Sequence, residues 1–180
     1  IDVKAQRLKA LTDDLFEASK AASGNIPVTA EKVELVSLLT QGLGELDDKL
    51  KSSGLDFRVT APEEKLYVLA DGKLLWRVVE NVLSNVFKYA LAGSRVYIDV
   101  FERGTGAGIE VKNISAQELN IPEEELMERF KRGDEARAGS GSGLGLSIAR
   151  SLMLAQGGTF EIKIDGDLFK ASLTAARFEA

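Results

Sequence analysis

Residues 71–90 repeat their apolar side chains with a helical period, and strand-like segments flank them on both sides. At about 100° per residue, Leu75, Val78, Val79, Val82, Leu83 and Val86 fall on one broad buried arc. Asp71 stands where a helix N-cap belongs, because a short carboxylate can accept from the first free backbone N–H groups. Upstream, the pattern predicts an extended piece over 28–33, a helix over 34–53 stopped by Gly54, and strands over 56–60 and 66–70. Downstream it predicts strands over 95–102 and 108–113, joined by a turn at Gly104-Thr105-Gly106 and rich in Val, Ile, Tyr and Phe. A short helix over 123–130, opened by Pro122, follows. The chain then runs through a helix over 144–155, ended by Gly157-Gly158, to strands over 159–165 and 168–176 around a hairpin turn at Asp165-Gly166-Asp167. Strands interleaved with helices, with hairpins among them, predict an α+β architecture: a two-layer α/β sandwich with a mixed sheet and helices on one face.

The first two dozen residues differ from the rest. Ile1, Leu8, Leu11, Leu15, Ala18 and Ala22 follow heptad spacing, with Lys4 breaking the series. Such a seam fits a coiled coil; an amphipathic helix packed on its own domain reads equally well. Either way so short a helix needs a partner. Ser23-Gly24-Asn25-Ile26-Pro27 ends it. The abrupt start reads as the end of a longer helix, so residues 1–24 are expected to form one unit and 25–180 another.

Composition narrows the chemistry. The chain has no cysteine and no histidine, which removes disulfides, thiolate and imidazole metal sites, Ser-His-Asp triads and histidine acid–base catalysis. Against 28 acidic residues stand 23 basic ones, a net charge of −5, so nucleic acid is not an expected partner. No apolar run approaches the roughly 18 residues of a membrane span, and no secretory leader pattern opens the chain.

Three features could carry chemistry. Asn81, Asn85 and Lys88 are spaced by four and three and so stack on a face beside the apolar arc. Two carboxamides and an ammonium in a column suit a hydrated divalent cation and a phosphate; the plain alternative is a solvated helix stripe. Gly139-Ser-Gly141-Ser-Gly143-Leu144-Gly145-Leu146 is neither a Walker loop nor a dinucleotide fingerprint, yet its glycines open a helix whose backbone N–H groups could hold a polyphosphate. Residues 131–142 before it contain no large apolar side chain and are expected to form a mobile loop carrying Arg132 and Arg137. Finally, Asn113 leaves a strand end, where it could read a base or simply satisfy its own turn.

Asn81-Val-Leu-Ser-Asn85-Val-Phe-Lys88-Tyr89 resembles the asparagine box of sensor histidine kinases, and Gly141-Ser-Gly143-Leu-Gly145-Leu-Ser-Ile resembles their second glycine box, in family order. Leu126-Met-Glu-Arg-Phe130 looks like the phenylalanine-box region, and Leu11-Thr-Asp-Asp-Leu15 like the end of the second helix of the dimerisation and phosphoacceptor hairpin. The resemblance implies the Bergerat (GHKL) ATP-binding fold, with a mixed, mostly antiparallel sheet backed by helices and a mobile ATP lid. It implies Mg-ATP as ligand, with Asn85 holding the magnesium, Asn81 supporting it or its water, Lys88 on phosphate and Tyr89 near the nucleotide. Arg132 and Arg137 would lie in the lid, and Gly141, Gly143, Leu144 and Gly145 would line the triphosphate. One departure stands out. The first glycine box, usually DxGxG, reads Asn113-Ile-Ser-Ala-Gln117 here, so a neutral Asn113 replaces the carboxylate that accepts from the adenine amino group.

Hydrolytic relatives place Glu where Asn81 stands, and an amide cannot serve as a base toward water. The resemblance therefore implies phosphoryl transfer to a histidine, which must lie outside this chain. It further implies a homodimeric parent receptor in a bacterial membrane, this part cytoplasmic, with a response regulator as partner. Two other readings stay open: a degenerate nucleotide-binding or regulatory module, suggested by the altered first box, and a hydrolytic ATPase of the same fold.

Overall fold

The computed structural model describes residues 2–119, 122, 124–125 and 145–178. Helix α1 (Val3–Ser23) leads into strand β1 (Glu31–Glu34), helices α2 (Leu35–Glu45) and α3 (Asp47–Ser52), and strands β2 (Asp56–Thr60) and β3 (Tyr67–Ala70). Helix α4 (Gly72–Tyr89), strands β4 (Arg95–Arg103) and β5 (Gly106–Ile114), helix α5 (Gly145–Ala155) and strands β6 (Thr159–Asp165) and β7 (Leu168–Ala176) complete it.

Five strands form one sheet in the order β2-β4-β5-β7-β6. Only β2 and β4 pair in parallel; the other pairs are antiparallel. The sheet is therefore mixed and mostly antiparallel, as expected. Alternation decides its faces. Val96, Ile98 and Val100 of β4, Ala107, Ile109 and Val111 of β5, and Ala171, Leu173 and Ala175 of β7 are buried beneath the helices. The opposite face carries polar side chains, among them Lys112, which pairs with Asp99 at 3.1 Å. All six apolar residues expected on the α4 arc are at most 1% exposed. Asp71 caps that helix as expected, its Oδ1 accepting from Lys73 N at 3.1 Å and Leu74 N at 3.2 Å.

Three expectations shift. The strand near residue 66 begins at Tyr67 and leaves the main sheet. It pairs antiparallel with β1, Val33 opposite Val68, as a separate two-stranded sheet. The single helix over 34–53 breaks at Leu46, whose N–H is shared between Gly42 O and Leu43 O at 3.2 Å each. Four residues earlier, a Cβ on Gly42 would lie 2.1 Å from the Trp76 ring, so glycine lets α2 approach α4 closely. The β4–β5 hairpin is tighter than its glycines suggested, turning at Gly104 (φ 60°) with β5 already begun at Gly106. All but Glu124 and Glu125 of the helix expected over 123–130, and the loop expected over 131–142, lie outside the described residues.

Helix α1 lies along α5. Its seam residues Leu8, Leu11 and Leu15 are exposed to solvent, and Arg77 of α4 grips Glu17 through Nε (3.1 Å) and Nη2 (2.8 Å). None of the helices among the described residues is long and apolar enough to cross a membrane.

Candidate functional site

Asn81 and Asn85 are not a solvated stripe. They are 7% and 8% exposed, on the flank of α4 that continues its apolar arc. Mid-helix asparagine has only middling helix propensity, so burying two of them one turn apart requires something for their amides to bond. Among the described residues, the Asn81 Nδ2 donor is buried without a partner. Lys88, one turn beyond Asn85, is exposed, and Tyr89 is half-buried.

Two contacts fix how α5 meets this flank. Gln156, just past the end of α5, accepts from Asp71 N at the start of α4 (2.9 Å) and donates to Leu152 O (3.0 Å). At the other end, a Cβ placed on Gly145 would lie 3.8 Å from Asn81 O and 3.9 Å from Asn81 Oδ1. The helices thus run antiparallel, and the N-terminus of α5 opens beside Asn81, facing the half of α4 that carries Asn85 and Lys88. Its leading N–H groups and the helix dipole make that mouth favourable for an anion.

Asn113 enters from the sheet. It is 2% exposed and shares the helix-facing side of β5 with Ile109 and Val111. The chain just beyond it is tied to the end of α4: Leu91 N donates to Ile114 O and Ala116 N to Tyr89 O, both at 2.8 Å. The commoner sequence explanation, an asparagine satisfying its own turn, does not hold. Asn113 lies within β5, near its end, and its Oδ1 is buried without a partner among the described residues. The local turn is made instead by Ser115, whose Oγ accepts from Gln117 N at 3.1 Å.

The structure therefore gathers Asn81, Asn85 and Gly145 where two helices meet, with Lys88 and Tyr89 further along α4 and Asn113 on the strand below. Arg132, Arg137, Gly141, Gly143 and Leu144 lie outside the described residues. Sequence reasoning missed Arg77, which continues the Asn81–Asn85–Lys88 column one turn earlier and joins it to α1. Its spacing was visible, but its partner Glu17, 60 residues away, was not. Among the described residues no group of three or more His, Cys, Asp or Glu side chains could hold a metal ion. A divalent cation here would depend on carboxamide oxygen and on the ligand's own phosphates.

The family of histidine kinase-, DNA gyrase B-, and HSP90-like ATPases matches residues 70–176, from the last residue of β3 to the end of β7. The chain belongs to that family. Among relatives of this ATPase domain, the sensor protein VanS of Enterococcus faecium is 34% identical over 160 residues, covering 86% of this chain and 40% of VanS. The sensor histidine kinase WalK of Bacillus subtilis is 31% identical over 162 residues, covering 86% of this chain and 26% of WalK. The chain thus spans well under half the length of either relative. Among solved structures, full-length ShkA in complex with AMPPNP superposes with a TM-score of 0.78 at 21% identity, over 96% of this chain and 36% of that one. Histidine kinase ThkA in complex with response regulator protein TrrA gives 0.74 at 19% identity, over 97% and 48%. At those identities the two structures speak to the fold.

Proposed function

We propose that this chain is the ATP-binding catalytic domain of a sensor histidine kinase, binding Mg-ATP and transferring its γ-phosphoryl group to a histidine the chain does not itself carry. One observation carries the reading: the N-terminus of α5 opens against Asn81, whose buried amide N–H lacks an acceptor among the described residues. A buried donor left unpaired costs about 1–3 kcal/mol, and a phosphate oxygen or a cation-bound water offers the missing acceptor. The nucleotide bound in the ShkA structure and the family match support the same ligand class.

The donor set fits magnesium, with the Asn85 carboxamide oxygen as its protein ligand. Magnesium, when bound, offsets the negative charge of the phosphates. Around it, α5 presents backbone N–H groups toward the triphosphate, Lys88 adds a cation at the open end, and Asn81 donates from Nδ2. Asn81 has no basicity with which to activate water, so the site holds its phosphoryl group for another nucleophile. Positioning and charge stabilisation are what these residues contribute.

Residues 1–24 are then the end of a dimerisation and phosphoacceptor hairpin, consistent with the solvent-facing Leu8, Leu11 and Leu15, and residues 25–180 the catalytic domain. The parent would be a homodimeric, membrane-bound receptor with this part in the cytoplasm, and a response regulator would take the phosphate, as TrrA pairs with ThkA. A second reading is favoured by one feature. Ile114-Ser115-Ala116-Gln117 carries none of the glycines of a first glycine box, which suits a degenerate regulatory module. Calorimetry with Mg-ATP separates the two: saturable binding that Asn85→Ala abolishes supports the kinase domain, and folded protein without binding at millimolar nucleotide rejects it. A separate hairpin fragment bearing its histidine should then acquire label from γ-labelled ATP.

A further inference from the structure

By its resemblance to the first glycine box, Asn113 stands where the base of a bound nucleotide would lie, and we infer that its neutral carboxamide makes the site accept purines with either a 6-amino or a 6-oxo group. This inference rests on the nucleotide-binding reading. The side chain is 2% exposed, points to the helix side of the sheet, and sits at the strand end bonded to the last turn of α4. Its Oδ1 has no partner among the described residues, so none of their donors holds the amide in one orientation through that oxygen.

The chemistry follows from the donor inventory of the group. A carboxylate offers acceptors only; it can take a hydrogen bond from an adenine amino group but meets the 6-oxo oxygen of guanine or hypoxanthine as like against like. A carboxamide offers one acceptor and one pair of donors, and a half-turn about its Cβ–Cγ bond exchanges them in place. With Oδ1 forward, Asn113 accepts from the 6-amino group of adenine. With Nδ2 forward, it donates to a 6-oxo group. The neighbouring ring nitrogen follows suit, since N1 is an acceptor in adenine and carries a hydrogen in the 6-oxo purines. Neither pairing is charge-assisted, so selectivity falls because the adenine bond weakens and the 6-oxo bond becomes possible.

The test is competitive calorimetry on the intact chain with the magnesium complexes of ATP, GTP and ITP. ITP is the deciding probe, because it differs from ATP chiefly at position 6 and lacks the 2-amino group of GTP. Expected is ITP binding within about thirtyfold of ATP, with mutual displacement, since one mismatched bidentate edge is worth about that factor. Asn113→Asp should shift the ATP-to-ITP ratio at least about tenfold toward ATP. ATP binding with ITP more than about thirtyfold weaker overturns the inference, as does an Asn113→Asp protein that folds and keeps the wild-type ratio. Should Asn113→Asp fail to fold, the wild-type ratio decides alone. Absence of binding by all three nucleotides would instead reject the nucleotide site itself.

Discussion

Gly145 opens α5 directly beside Asn81: a methyl group on Gly145 would sit 3.9 Å from the Asn81 carboxamide oxygen, in ordinary contact. The fold can therefore accept that methyl, while the space beside the carboxamide shrinks. Gly145 is helical and lacks the positive φ that would demand glycine, so Gly145→Ala should leave stability unchanged or raise it by about 0.4–1 kcal/mol. Mg-ATP affinity should fall on the order of tenfold, because the anion must approach the helix mouth at this residue. Thermal melting and calorimetry on the same sample check both halves. A destabilised variant with undiminished affinity would show that Gly145 serves packing alone.

Glu17 and Arg77 join α1 to the column of α4 that bears the asparagines. The pair is two-pronged, and its side chains are only 26% and 35% exposed, so it escapes part of the screening that weakens surface pairs. Glu17→Ala should cost about 1 kcal/mol, less at high salt. Hydrogen exchange should accelerate in α1 while the strands of the main sheet keep their protection. Loss of protection throughout the sheet would mean that the pair supports the whole domain.

Much of this arrangement was readable from local pattern. The α4 arc and its Asp71 cap depend on residues within a few turns of each other, and both strand hairpins are marked by glycines that now show positive φ at Gly104 and Gly166. What escaped depends on distant partners. The close approach of Trp76 to Gly42 joins residues more than thirty positions apart, and β1 finds β3 about thirty-five residues along the chain. The site divides the same way. Spacing put Asn81, Asn85 and Lys88 in a column, but that the two amides are buried depends on tertiary packing, and the Asn113 strand face became meaningful only once the end of β5 was bonded to the end of α4.

Glu34 is the N-cap of α2, its carboxylate accepting from Val36 N, Ser37 N, the Ser37 hydroxyl and Leu66 N. Partial burial pushes its pKa up, but the bonds from Ser37, Val36 and Leu66 outweigh that and hold it below the ordinary glutamate range. A depressed carboxyl stabilises the fold while it is ionised, so its contribution is complete above the unfolded value of about 4.3 and is lost as pH falls through the lower folded value. Glu34→Gln should therefore lower stability by about 1 kcal/mol near neutral pH. The two proteins should converge in thermal melts once the pH lies well below that range. A gap that persists in acid would point to shape, not charge, as the cause.

Two glycines of the β4–β5 hairpin should respond in opposite degree to the same methyl. Gly104 needs its positive φ, yet nothing lies within 4 Å of an added Cβ, so Gly104→Ala should cost only about 1 kcal/mol of backbone strain. Gly108 has no positive φ, but its Cβ would fall 1.9 Å from Leu173 O and 3.0 Å from the Thr174 Cα. Those atoms belong to β7, which is hydrogen-bonded between β5 and β6 and cannot retreat without breaking one ladder. Gly108→Ala should cost at least about 3 kcal/mol and shift the melting midpoint far more than Gly104→Ala does. Because β5 also carries Asn113, the variant should lose Mg-ATP binding in step with its fold, whereas Gly104→Ala keeps it. Equal costs at the two positions would mean that β5 and β7 are further apart than the register of Gly108 against Thr174 implies.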